Sequence, residues 1–165
     1  MRVLFIGNSH TYFNDLPELV RQQCARKGQP VEVCMLTHEP QTRFNILYGG
    51  WDTVILQHRA HPMGDVALLE KALDDILVWV REAGSRAMLF QTWTRQGEED
   101  AQKDMSRVYR QLGEKHNIPV IPVGDRWQAY RREHPDAAFY RSDGSHAAPA
   151  GSQLAAQVIA EALCP

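Results

Sequence analysis

The chain predicts an α/β fold, a parallel sheet with helices on both faces, from two observations. Short apolar runs rich in β-branched residues alternate with longer amphipathic ones, and each short run is apolar almost throughout, as a strand covered on both faces should be. Five strands are expected, at Arg2 to Ile6, Val31 to Leu36, Thr53 to Leu56, Ala87 to Gln91 and Pro119 to Pro122. The first helix opens near Asn14 or Asp15 with Pro17 in its first turn and stops by Gly28, a capped start and a glycine end. The second is the clearest: Val66, Leu69, Leu73, Ile76 and Val80 form one apolar stripe behind an Asp65 cap, and Gly84 ends it. A third, from about Ala101 to His116, buries Met105, Val108, Tyr109 and Leu112. The last uses Leu154, Val158, Ile159, Ala162 and Leu163 behind Pro149. Trp127 and Tyr130 belong to one or two helical turns ending before Pro135, with packing as their expected use.

Bulk properties narrow the classes. At 165 residues, with no repeat or linker, residues 1–165 are expected to form a single domain with one substantial core. No apolar run approaches the roughly 20 residues that cross a bilayer. Met1 to Ile6 are followed at once by the polar Asn8, His10 and Asn14, unlike a signal peptide. Cys24, Cys34 and Cys164 are odd in number and widely spaced, which suits reduced thiols, and together these features point to a cytoplasmic protein. Cys34, between Val33 and Met35, is expected to pack as a small apolar residue. A net charge of -2 gives no general attraction to nucleic acid or to an anionic membrane.

The chemistry sits at the two ends of the chain. Gly7-Asn8-Ser9-His10-Thr11 follows the first strand, and Asp143-Gly144-Ser145-His146 precedes the last helix. In open parallel sheets, sites form outside the carboxyl ends of the strands, where Ser9 lies. A serine hydroxyl becomes a competent nucleophile when an imidazole takes its proton and a carboxylate fixes the tautomer of that imidazole. Ser9, His146 and Asp143 supply these three groups, and Gly144 lets one tight turn present the latter two. Either segment alone reads as an ordinary strand end or turn. Their joint appearance in this element order carries the inference.

Ile6-Gly7-Asn8-Ser9-His10-Thr11 resembles the first signature block of the SGNH, or GDSL-type, hydrolases, with asparagine before the serine, and Asp143-x-x-His146 followed by Gly151 resembles their last block. The resemblance implies a three-layer, flavodoxin-like fold with a five-stranded sheet in the order 2-1-3-4-5. It also implies esterase, lipase, thioesterase or carbohydrate deacetylase activity without metal or cofactor. Carried over by position, it makes Ser9 the nucleophile, His146 the base and Asp143 its partner. Such enzymes use three oxyanion donors: the serine amide, a glycine amide after the second strand and an asparagine side chain after the third. Here Thr37-His38-Glu39-Pro40-Gln41-Thr42 has no glycine, and Leu56-Gln57-His58-Arg59 has no asparagine. Gln57 has the right donor chemistry, with Arg59 as a second candidate.

Asn8, Arg59, Trp93 and Arg95 are candidate substrate contacts, and Arg59, Arg95 and Arg141 could together hold an anionic or sugar portion. His58-x-x-His61, with His38 and Glu39, is too loosely spaced to read as a metal site. Gly7-x-x-x-x-Tyr12 lacks the lysine and second glycine of a phosphate loop. The resemblance implies a small ester as partner, polar or sugar-like in its alcohol, and 165 residues leave little chain for a lid or a long apolar channel, so a short acyl part is expected, with a homo-oligomer left open. The competing reading is a flavodoxin-like binding module that keeps the serine loop for an anionic ligand. An imidazole turned away from Ser9 would favour it.

Overall fold

Strand β1 (Arg2–Ile6) occupies an interior position in the sheet because the chain crosses over on both of its sides. It pairs in parallel with β2 (Glu32–Leu36) on one side and with β3 (Thr53–Gln57) on the other. Beyond β3 lie β4 (Arg86–Phe90) and the two-residue β5 (Val120–Ile121), giving the order β2-β1-β3-β4-β5. This computed structural model describes residues 1–37, 41–58 and 61–164. The register sets Ile6 beside both Leu36 and Leu56, and Gln57 beside Phe90, so the strands end at a common carboxyl edge.

The helices follow from strand alternation. Val3 and Phe5 of β1, Ile55 of β3, and Met88 and Phe90 of β4 point to one face. There they meet α2 (Leu16–Arg26), α6 (Val123–Glu133) and α7 (Pro149–Leu163) through Leu16, Val20, Trp127 and Ile159. Leu4, Val54, Leu56, Ala87 and Leu89 point to the other face. They are covered by α3 (Thr42–Tyr48), α4 (Val66–Glu82) and α5 (Gln102–His116) through Ile46, Leu69, Leu73, Tyr109 and Leu112. Two cores thus sandwich one sheet. A four-residue helix, α1 (Ser9–Tyr12), and a 3-10 turn (Phe13–Asp15) lead from β1 into α2.

Several local expectations are met in detail. The Asp65 carboxylate accepts from the Ala67 amide at 2.8 Å, and Gly28 and Gly84 end their helices at φ of 75° and 70°. Three differ. The Trp127 segment is a full three-turn helix rather than one or two turns, because Val123, Gly124 and Trp127 give it one buried edge against the sheet and α7. Helix α3 was not expected: of its apolar side chains Ile46 is buried, whereas Phe44 and Tyr48 face solvent and break any apolar stripe. Cys34 is exposed rather than packed, because β2 is an edge strand that alternates between covered and open positions.

Candidate active site

Ser9 enters the site through a sharp exit from β1. Gly7 donates to the Leu36 carbonyl at 3.2 Å, and a Cβ on it would lie 2.3 Å from Thr11 Oγ1 and 2.6 Å from Gln57 Oε1, so the turn closes only around a glycine. Asn8 is extended and its Oδ1 accepts from the His10 amide at 3.0 Å, capping the turn. Ser9 is then the first helical residue, so its own N–H has no acceptor within the helix.

The opposing loop is largely self-contained. Asp143 Oδ1 accepts from the amides of Ser145 and His146 at 2.8 and 2.9 Å, and Gly144 sits at φ 65°. The Arg141 amide donates to the His146 carbonyl at 2.8 Å, closing the turn. Trp93 Nε1 donates to the Ser145 carbonyl at 2.9 Å, and the Gln96 amide donates to the Gly144 carbonyl at 2.8 Å, so the segment after β4 anchors this loop.

The two loops bring Ser9, His146 and Asp143 into one line. His146 Nδ1 lies 2.7 Å from Asp143 Oδ2, and His146 Nε2 lies 2.8 Å from Ser9 Oγ. Because the carboxylate can only accept, Nδ1 carries the proton and Nε2 is left to receive one from the serine. The hydrogen bond from His146 and the two backbone amides hold the Asp143 carboxyl well below the usual carboxylate range. The imidazole of His146 is fixed laterally by Phe13, edge-on at 4.5 Å, and by His10 at 5.1 Å.

Among the other residues singled out from the sequence, Gln57 lies under the serine turn. Its Oε1 accepts from the Asn8 amide at 2.8 Å and from Thr11 Oγ1 at 2.9 Å, and its Nε2 donates to the His58 carbonyl. The Asn8 N–H is an obligate donor, which fixes the orientation of this amide. Both ends of Gln57 are thus engaged with the backbone rather than with open space. Trp93 is corrected from a substrate contact to an internal support: it is 1% exposed and stacks on Trp127 at 4.0 Å. Arg95 is exposed, and its charge reaches His10. Arg141 lies over the Phe13 ring at 4.9 Å. Arg59, His38 and Glu39 lie outside the described residues. His61 pairs with Glu98 at 2.9 Å, and among the described residues no cluster of three metal-ligating side chains occurs.

Two participants escaped the sequence reading. His10 is 7% exposed between His146 and Trp93, and burial lowers its imidazole to about 4. Asn14 has φ 56° and donates to the carbonyl of Ala147, the residue after the histidine, and to Ser152 in the first turn of α7. The signal available for His10 was its place inside the serine motif; Asn14 looked like a helix cap.

No protein-family model and no curated protein matches the sequence. Solved structures do match in three dimensions. The structure of TesA superposes with a TM-score of 0.77 at 14% identity, covering 100% of this chain and 99% of that one. A member of the lipolytic G-D-S-L family from Veillonella parvula gives 0.69 at 16% identity, over 98% and 97% of the two chains. A catalytic mutant of Axe2, an acetylxylan esterase from Geobacillus stearothermophilus, gives 0.71 at 13% identity, over 99% and 94%. With the sheet order 2-1-3-4-5 and helices on both faces, the chain has the fold of the SGNH, or GDSL-type, hydrolases.

Proposed function

We propose that this protein is a serine esterase that removes a short acyl group, such as acetyl, from a polar or sugar-like alcohol. The observation that carries the reading is the unbroken chain of hydrogen bonds from Ser9 through His146 to Asp143, at 2.8 and 2.7 Å. The imidazole faces the serine, which is the arrangement that separates a hydrolase from a binding module built on the same loop.

Ser9 Oγ attacks the ester carbonyl carbon while its proton passes to His146 Nε2. The resulting oxyanion is stabilised by the Ser9 N–H, which is free of helical partners. Collapse expels the alcohol, which takes the proton from His146, and leaves Ser9 acylated. Water then attacks the acyl carbon as it gives one proton to His146; collapse passes that proton to Ser9 Oγ, restoring the serine, and releases the carboxylic acid, which ionises in solution. Asp143, charged throughout, steadies the transient imidazolium. Gln57 contributes by shaping the serine turn; its use as an oxyanion donor requires release of its bond to the His58 carbonyl. Asn8 and Arg95 border this site, and Arg95 is the group suited to a polar alcohol.

The exposure of the triad bears on the size of substrate it suits. The His146 and Asp143 side chains are 26% and 47% exposed, so the reaction centre opens directly to solvent and suits a small polar ester better than a long acyl chain that needs an apolar tunnel. The likeness of fold to an acetylxylan esterase supports an acetylated, sugar-like alcohol. The test treats the protein with a fluorophosphonate and locates the adduct by mass spectrometry. Labelling at Ser9 that disappears in His146→Ala is the expected result; a folded protein that takes no label overturns the proposal.

A further inference from the structure

Between α1 and α2 the chain passes through two successive left-handed residues, Asn14 at φ 56° and Asp15 at φ 51°. A Cβ disfavours this conformation, least of all for asparagine and aspartate, and such backbone persists where the surroundings over-determine it, often beside a functional site. The two residues differ in what they obtain. Asp15 is exposed and its side chain makes no capping bond to α2. Asn14 turns inward, and its Nδ2 donates to the Ala147 carbonyl and to Ser152 Oγ, both at 2.9 Å.

Ala147 follows His146 directly, and Ser152, 2% exposed, lies in the first turn of α7. One carboxamide therefore joins the segment that carries Ser9 to the segment that carries His146, across 133 residues of sequence. The rings of Phe13 and His10 also pack on His146, while the flanking hydrogen bonds come from different neighbours: Gln57 under the serine turn, Trp93 and Gln96 against the histidine loop. Besides the Ser9–His146 bond itself, the polar contact made across the same seam is that of the His10 imidazole with the Ser145 backbone. The reacting pair thus meets across a seam that the Asn14 carboxamide ties by two hydrogen bonds, and the left-handed backbone is what aims Asn14 across it.

We propose that Asn14 is a positioning residue that fixes the separation of Ser9 Oγ and His146 Nε2; for its effect on turnover the proposal rests on the esterase reading. Three variants of the full chain test it. Asn14→Gly removes the tie and relieves the backbone, so the fold is preserved. Asn14→Asp keeps the size and the tolerance of left-handed backbone but replaces the donor with an acceptor facing the Ala147 carbonyl. Asp15→Gly relieves the neighbouring strain and leaves the tie intact.

With p-nitrophenyl acetate as the probe, both Asn14 variants are expected to lower kcat about 10- to 100-fold with KM changed by less than about threefold, the cost of misplacing a reacting pair. Asp15→Gly is expected to keep the wild-type constants. Wild-type kcat in both Asn14 variants overturns the proposal. So does a loss equalled by Asp15→Gly, since that would trace to the turn and not to the tie. A crystal structure of Asn14→Gly gives a readout independent of turnover. A Ser9–His146 separation beyond roughly 3.5 Å, outside hydrogen-bond range, upholds the tie, and an unchanged bond refutes it. If the wild type neither labels with fluorophosphonate nor hydrolyses the probe, the esterase reading fails, and this separation still decides whether Asn14 holds the pair.

Discussion

His10 shows how burial and charge act on a single side chain. Its imidazole is wedged between His146 and Trp93, and burial, with the His146 ring alongside, lowers it from 6.5 to about 4. The folded protein then declines a proton that the unfolded chain accepts between pH 6.5 and about 4, so stability falls as the pH drops through that window. The full effect, reached near pH 4, is about 3 kcal/mol. Urea unfolding at pH 4.5 and pH 7 should show this slope, and His10→Phe, which keeps a ring between the two neighbours, should flatten it. Asp143 behaves in the opposite sense. Its carboxyl is held below the usual carboxylate range by the His146 hydrogen bond and two backbone amides, so it stays ionised well into the acid range. Asp143→Asn should leave the thermal midpoint nearly unchanged, the side chain being half exposed, while kcat falls by about 10⁴-fold through loss of the correct tautomer. At this scale the sequence revealed which residue types meet, because Asp143 and His146 are three apart in one turn and Ser9 follows a strand. It did not reveal where Trp93 or Gln57 points, since a side chain beyond a strand end faces core or solvent according to the packing around it.

The serine turn is the element on which the site depends, and its tolerance is set by contact distances. Gly7→Ala would push a methyl group against Thr11 Oγ1 and Gln57 Oε1, at 2.3 and 2.6 Å in the present geometry. That substitution should cost about 1–3 kcal/mol in urea unfolding, and should slow fluorophosphonate labelling at Ser9 because the turn can relieve the clash only by moving. Helix elements were legible in proportion to their apolar stripes. Helix α4 buries Leu69, Leu73, Leu77 and Val80 on one face and was readable from end to end. Helix α3 buries Ile46 alone, and α6 draws its stability from Trp127 stacked on Trp93 and from Gly151 of α7, where a Cβ would stand 2.3 Å from the Trp127 ring. Such contacts join residues far apart in sequence, so no periodicity within a segment announces them.

Across the whole molecule, the three cysteines report on layer and edge. Cys24 and Cys164 are buried where α2 meets the end of α7, and burial together with the neighbouring thiol pushes Cys24 up to about 12, whereas Cys34 lies exposed on the edge strand β2. Titration of the native protein with Ellman's reagent should therefore show one thiol reacting promptly and the other two only after denaturation; prompt reaction of all three would contradict the packing of α2 against α7. The sequence by itself determined the five strands, the helices with a continuous apolar stripe and the local Asp143–His146 unit. These depend on apolar periodicity and turn residues within a dozen positions, which each segment carries with it. The tertiary structure decided the 2.8 Å approach of His146 to Ser9, the inward turn of Trp93 and the exposure of Cys34. Those follow from sheet register, from which strand lies at an edge, and from contacts such as the Asn14 tie, all of which exist only once distant segments have packed.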